Sequence, residues 1–305
     1  MKNQQFLEKL NVPTGRVDVL LDTDCFNEID DQFALAYLIR SPERVNLVAI
    51  TAAPFLNWKV QTPGEGMEKS YNEIYKVLDL ALPGQEKPPV YRGSEAFLPD
   101  ENTPVDSEAA RKIVELAMTY SPEKPLYVVA IGAVTNVASA ILLEPQIKER
   151  IVLVWLGGHA RHYGDNFEFN LRQDVASGRV VFASGVPMVQ LPCRGVVSQF
   201  ATTRYELEHW MLGKNPLSDY LASNAIAHCE RLFPGKAWSK PLWDVTAVAW
   251  LCNNDQVFMM DRLENAVLPT YDHKYEDQEL DHKIRYVYYI NRDALFADML
   301  EKLTK

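Results

Sequence analysis

The sequence predicts an α/β fold: an open, mostly parallel, Rossmann-like sheet flanked by helices, with a largely helical C-terminal part capping a pocket. Three observations predict it. Short apolar runs such as Val17–Leu21 (VDVLL) and Ile151–Leu156 (IVLVWL) have the length and continuity of strands buried on both faces. Segments with helical apolar spacing lie between them. The two kinds alternate, and strand–helix–strand units of this spacing build parallel sheets.

Each element can be justified in turn. Val17–Leu21 is the first strand and runs into Asp22-Thr23-Asp24. Asp30-Asp31 opens a helix over Phe33–Ile39, because acidic residues favour a helix N-terminus. Val45–Ile50 is the second strand, and Met67–Leu80 a helix punctuated afterwards by Pro83, Pro88 and Pro89. Ser107–Tyr120 is a helix, Leu126–Ile131 a strand, Thr135–Leu143 a helix and Ile151–Leu156 a strand. Gln173–Ser184 is a helix and Val186–Leu191 a strand. From about Thr203 to Asn253 the chain is mainly helical. Arg285–Tyr289 forms a late strand, Asp293–Leu303 a closing helix, and the acidic stretch Tyr275–Asp281 a solvated loop. With no internal repeat or linker, residues 1–305 are expected to form a single domain.

Composition removes several classes of function. The 31 basic and 41 acidic side chains leave a formal charge of −10. That balance argues against nucleic-acid polymers and anionic membranes, which both need clustered Lys and Arg. Nothing approaches the roughly 20 apolar residues of a membrane helix. The stretch Met1–Leu10 lacks the apolar core of a signal peptide. Cys25, Cys193, Cys229 and Cys252 show no CxxC spacing, which suits free thiols in a reducing, cytoplasmic setting.

The sharpest local signal is Asp22–Asp31, with four aspartates and one glutamate in ten residues at the carboxyl end of the first strand. Ligand sites of open α/β sheets lie outside those ends. Carboxylates so crowded repel one another, and a hard divalent cation relieves this. A DxD after a first strand also serves magnesium-assisted phosphoryl transfer. The Asp30-Asp31 pair leans instead toward a calcium cage with many protein oxygens.

Four blocks, in order, resemble the inosine–uridine nucleoside hydrolase family. The Asp-x-Asp…Asp-Asp loop matches Asp22, Asp24, Asp30 and Asp31. Val129–Asn136 resembles the family's strand-Gly-x-x-Thr-Asn turn. Gly157-Gly158 followed by Glu168-Phe169-Asn170, with Asp174 beyond, resembles its Gly-Gly…Glu-Phe-Asn segment. Trp243–Ala249 resembles its His-Asp-Pro-x-Ala-Val-Ala segment. The resemblance implies calcium-dependent hydrolysis of the N-glycosidic bond of a small-molecule ribonucleoside, giving ribose and free base. It implies that Asp24, Asp30, Asp31, Asp244 and the main-chain carbonyl of Ile131 surround the Ca2+, and that Asp24 takes the proton of the attacking water. Asn170 and Glu168 would hold the ribose hydroxyls, with Asn57 and Asn166 as further sugar contacts. A homodimer or homotetramer is implied in the same way.

Three departures from the family pattern stand out. Asp24 to Asp30 spans six positions, longer than the family's loop. Glu28, inside it, reads as an exposed loop acid, with an extra pocket acid as the alternative. The family's histidine before the late aspartate is Trp243, which cannot act as an acid but can stack on a purine, so purine nucleosides are favoured. The segment from Gly158 to Glu168 is short and carries His159, the candidate replacement acid or substrate contact, and His162. Phe55 and Trp58 are candidates for an aromatic wall, and Met211–Tyr220 and Ala225–Leu232 for a cap.

Three functions are therefore weighed: a calcium-dependent N-ribohydrolase, a magnesium-dependent phosphohydrolase, and a non-catalytic nucleoside or ribose binder. Asp244 favours the first over the second. Trp243 helps the binder, whereas the retained Asp24 speaks against it.

Overall fold

Alternation of side chains along the first strand sets the two sides of the molecule. The computed structural model describes residues 3–305; the first two residues of the stretch scanned for a targeting segment lie outside them. A short helix not expected from the sequence, α1 (Asn3–Lys9), precedes β1 (Val17–Thr23). Val19 and Leu21 enter one apolar cluster and Leu20 the other, as a period of two requires.

The chain then alternates as expected. It runs through α2 (Asp30–Ile39), β2 (Val45–Ala52), α3 (Pro63–Ala81), the short β3 (Val90–Tyr91) and α4 (Glu108–Thr119). β4 (Leu126–Ala130), α5 (Thr135–Leu143) and β5 (Ile151–Leu156) follow. Next come α6 (Phe169–Gln173), α7 (Val175–Ala183) and β6 (Met188–Leu191). α3 starts four residues before the expected Met67, because Thr62 caps the Glu65 N–H and Pro63 takes the first helical position. The single helix expected over Gln173–Ser184 is split at Asp174. That residue leaves helical geometry (φ −143°, ψ 76°), and its carboxylate caps α7 through Ser177 N.

The last part of the chain is mixed. β7 (Ala201–Thr202), α8 (Arg204–Trp210), α9 (Pro216–Leu232), β8 (Lys240–Pro241) and α10 (Val245–Leu251) precede two long strands, β9 (Met259–Pro269) and β10 (Tyr275–Ile290), and the closing α11 (Arg292–Thr304). The acidic stretch expected as a loop is the first half of β10. Asp277, Glu279 and Asp281 occupy exposed positions of a hairpin that projects partly into water, so polarity there marks exposure rather than irregular backbone.

Among the described residues the main sheet has eight strands in the order β3-β2-β1-β4-β5-β6-β10-β9, parallel except for β9. Helices α2, α3, α10 and α11 cover one face, and α4, α5 and α7 the other. The strand order reverses at β1, between β2 and β4, and the acidic loop leaves from that point. α2 is buried from Asp30 through Leu38, so the two aspartates at its start are carried out of water by a helix that is itself interior. Among the described residues, no helix is long and apolar enough to cross a membrane.

Candidate active site

A cavity of about 260 Å³ opens at the carboxyl ends of β1, β4 and β5. Its floor is acidic. Asp30 and Asp31 come from the first turn of α2 and Asp244 from the residue preceding α10; their carboxylate oxygens lie within 4.8 Å of one another. Asp24 lines the same cavity beside this triad, as does Ile131. All four aspartates are almost wholly buried.

The electrostatics follow from that burial. Lost hydration is the largest cause pushing each of the four carboxyls upward; repulsion from the neighbouring aspartates adds to it at Asp24, Asp31 and Asp244, whereas at Asp30 the Lys240 ammonium opposes it and Glu28 adds to it. Asp31 is raised to about 7, first by burial and then by Asp30, against a 2.5 Å hydrogen bond from Thr23 Oγ1. Asp24 Oδ2 and Asp30 Oδ1 have no hydrogen-bond donor. Crowded, buried carboxylate oxygens with unused lone pairs fit a hard divalent cation; Ile131 lines the same cavity, its carbonyl accepting from Asn170. Asp22, by contrast, stands behind the cavity. Its Oδ1 accepts from Asn136 Nδ2 (2.8 Å) and Thr51 Oγ1 (2.7 Å), and burial raises its pKa to about 6.

The wall opposite the acids is built by a turn and a short helix. Gly158 has φ +77°, and a Cβ there would meet the Tyr275 hydroxyl at 2.4 Å, so only glycine fits. Glu168 caps α6. It accepts from Asn170 N (3.0 Å), Leu171 N (2.8 Å) and Gly158 N (3.1 Å), which holds helix and turn together. Asn170 donates from Nδ2 to both the Ile131 carbonyl (3.1 Å) and the Leu156 carbonyl (3.0 Å). Its Oδ1 is thereby left as an acceptor for the cavity.

His159 lines the cavity but is not a charged acid at neutral pH. Burial, with the nearby Arg194 second, lowers its pKa to about 4, against the pull of Asp165. Nδ1 accepts from Arg194 N at 3.3 Å, so the neutral ring carries its proton on Nε2, which is buried without a partner. Trp243 also lines the cavity, its Nε1 donating to Ser198 Oγ at 2.8 Å.

Several expected contacts stand elsewhere. Asn57 does not reach the cavity; its Nδ2 donates to Asn27 Oδ1 (2.8 Å), and Asn27, in the lengthened loop, takes the lining position. Asn166 supports the turn from behind, accepting from His159 N at 2.7 Å. Glu28 is not a free loop acid: it lines the cavity and pairs with Lys240, which holds its carboxyl below the usual value against the opposing effect of burial. His162 is exposed and outside the lining. Phe55 is core, Trp58 is 68% exposed, and α9 with Trp58 lines an adjoining cavity rather than this one.

Lys240, Asn27, Arg172 and Arg194 were missed. Lys240 had one available signal, a lysine three residues before Trp243. Its ammonium stands 3.5 Å from Asp30 Oδ1. Burial opposes that charge, but Asp30 and Glu28 outweigh it and raise the pKa.

Comparison with known proteins agrees with this geometry. Residues 19–296 match the family described as inosine-uridine preferring nucleoside hydrolase. The inosine-uridine preferring nucleoside hydrolase of Leishmania major is 28% identical over 241 residues, 63% of this chain and 74% of the relative. The pyrimidine-specific ribonucleoside hydrolase RihA of Citrobacter koseri is 25% identical over 264 residues, 78% of this chain and 81% of the relative. In fold, the chain superposes on a purine-preferring ribonucleoside hydrolase from Gardnerella vaginalis with a TM-score of 0.76 at 19% identity, covering 94% and 98% of the two chains. A plant nucleoside hydrolase gives 0.74 at 20% identity, covering 96% and 99%.

Proposed function

The chain belongs to the inosine-uridine preferring nucleoside hydrolase family, and from that premise we propose that it is a calcium-dependent N-ribohydrolase with a leaning toward purine nucleosides. The observation that carries this is Asp24, a buried carboxylate with an unpartnered oxygen beside the Asp30–Asp31–Asp244 triad. A binder needs no such base.

The residues divide the work. Asp24 takes the proton of the attacking water, a role that a raised carboxyl pKa suits. Asn170 Oδ1 accepts a ribose hydroxyl, and Glu168 fixes the helix that presents it. Asp24, Asp30, Asp31, Asp244 and the Ile131 carbonyl would hold the cation. When bound, calcium supplies Lewis-acid polarisation and offsets the carboxylate repulsion. Growing positive charge at the anomeric carbon is stabilised by the remaining carboxylate and amide oxygens. Trp243 offers a ring for the base, and the neutral His159 offers an Nε2–H donor rather than a charged acid.

The choice of calcium over magnesium rests on the number of protein oxygens at the floor. The similar proteins include a pyrimidine-specific and a purine-preferring hydrolase, so the purine leaning rests on Trp243 alone. The test is release of reducing sugar from a panel of purine and pyrimidine ribonucleosides by the purified protein with calcium. Turnover of none of them would leave the nucleoside-binder reading in its place.

A further inference from the structure

Two side-chain amides of opposite polarity face the active-site cavity. Asn170 spends its Nδ2 on the Ile131 and Leu156 carbonyls, which leaves its Oδ1 for the cavity. Asn27, carried by the lengthened loop between Asp24 and Asp30 and only 6% exposed, lines the same cavity. The orientation of its amide is fixed by a chain of bonds that begins outside the site. The Lys59 main-chain N–H can only donate, and it donates to Asn57 Oδ1 at 2.8 Å. Asn57 therefore turns its Nδ2 toward Asn27, which accepts through Oδ1 at 2.8 Å. The main chain of Asn27 is committed as well: its N–H donates to the Asp24 carbonyl at 2.7 Å, and its carbonyl accepts from Lys59 Nζ. Among the described residues, Nδ2 is the polar group of Asn27 left without a partner.

The loop is also held at its preceding residue. Lys59 Nζ donates to the Phe26 carbonyl at 3.1 Å, and Phe26 N donates to Ser70 Oγ on α3 at 3.2 Å. Lys69 Nζ in turn holds the Lys59 carbonyl at 2.9 Å. The Asn27 amide is thus set in place before any ligand arrives, which removes part of the ordering cost of binding.

We propose that Asn27 is a substrate-binding residue that donates from Nδ2 to the 2′ oxygen of the ribose, with Asn57 as its positioning residue. This rests on the hydrolase reading above. The sugar hydroxyls give their hydrogens to the carboxylates of the floor and to Asn170 Oδ1, and their lone pairs then need a cation or a donor. Asn27 supplies the donor. Its N–H ties it to Asp24, whose carboxylate serves the water attacking C1′, and the hydroxyl on the carbon next to C1′ is the 2′. A hydrogen in place of that hydroxyl leaves Nδ2 unpaired, so the contact selects ribose over 2-deoxyribose.

The experiment measures kcat/KM of the calcium-loaded protein for inosine, 2′-deoxyinosine and 3′-deoxyinosine. Both deoxy compounds are also measured as competitors of inosine, so that their binding is read even without turnover. In Asn27→Ala the preference for inosine over 2′-deoxyinosine is expected to fall by at least about fivefold, the scale of one neutral hydrogen bond. 3′-Deoxyinosine, which keeps the 2′ hydroxyl, should fall together with inosine. Asn57→Asp keeps an acceptor for the Lys59 N–H but offers Asn27 a carboxylate oxygen, which turns the Asn27 amide round. The same preference should fall as far although Asn27 is intact, with thermal melting verifying the fold of both variants. An unchanged preference in Asn27→Ala, or an equal loss on all three compounds, would overturn the proposal. A loss that spares only 3′-deoxyinosine would move the contact to the 3′ oxygen and overturn the 2′ assignment. Loss in Asn27→Ala without loss in Asn57→Asp would overturn the positioning role. If nothing is turned over, isothermal titration of the three compounds replaces the kinetics. Tighter binding of inosine than of 2′-deoxyinosine, abolished in Asn27→Ala, would then mean that the hydrolase reading fails and the contact stands; binding without that difference would overturn the contact too.

Discussion

The Lys240 ammonium lies 4.0 Å from the centroid of the Trp243 ring, placing a buried cation between the aromatic wall and the acidic floor. Burial opposes its charge, but Asp30 and Glu28 outweigh it and hold its proton firmly. Its effect is electrostatic: it offsets part of the floor's negative charge and competes with any cation bound there.

Lys240→Met is therefore expected to act in opposite directions with and without metal. The metal-free protein should lose about 3 kcal/mol, because Asp30 remains buried without its partner. Calcium should bind more tightly to the variant, since a like charge is gone. Chemical denaturation without calcium and calorimetric titration with it check the two signs; weaker calcium binding would refute the competition.

Asp24→Ala should lower kcat for base release by at least about 100-fold, the lower range for loss of a general base. The melting temperature should hold or rise, because the substitution removes a buried carboxylate whose Oδ2 has no partner. Retained turnover would assign the base elsewhere.

Calcium should stabilise the chelator-treated protein by about 3 kcal/mol at a free concentration one hundred times its Kd. Magnesium at the same concentration should do much less. Elemental analysis of the protein as purified, together with thermal shifts for both ions, distinguishes them, and a larger magnesium shift would reverse the assignment.

Trp243→Ala should raise KM for purine nucleosides roughly tenfold, in line with about 1–3 kcal/mol for base stacking. Pyrimidine nucleosides should be affected less. An equal effect on both removes the basis for a purine leaning.

His159 gives the protein a pH signature. Its pKa falls from 6.5 in the unfolded chain to about 4 in the folded one, chiefly through burial. The unfolded chain therefore takes up the proton first as pH falls, and the stability present above about 6.5 is lost progressively toward pH 4. The full effect is about 3 kcal/mol. Denaturation at pH 7 and pH 5 should show a smaller drop for His159→Gln than for the wild type. Equal drops would mean that the imidazole is not shielded as described.

Much of this protein is legible in its sequence, for identifiable reasons. β1, β4 and β5 are apolar on both faces, and buried parallel strands leave that continuous signature. Asp24, Asp30 and Asp31 were legible because they are local and follow such a strand. What was not legible is long-range or half-exposed. Of the β9–β10 hairpin only the Arg285–Tyr289 stretch of β10 was legible; β9 and the first half of β10 were missed because one face meets water, and Tyr275 with them, although its hydroxyl bonds the His159 carbonyl at 3.0 Å. Asn27 displaced Asn57 through a loop whose path has no periodicity to read. Lys240, Arg172 and Arg194 carry no motif; only the arrival of the two arginines at the cavity, and of Lys240 beside Asp30, gives them meaning.

Asp30 and Asp244, which meet at the cavity floor, are 214 residues apart in the chain, and Asp244 N donates to Asp30 Oδ2 across that span at 3.3 Å. No N-terminal fragment can assemble the triad, so a cation can be recruited only after the late helix has docked on the early one. The ion would thus contribute little to the folding transition state and much to the finished structure. Its kinetic mark would be slower unfolding at a nearly unchanged folding rate, a latch that closes last and resists opening.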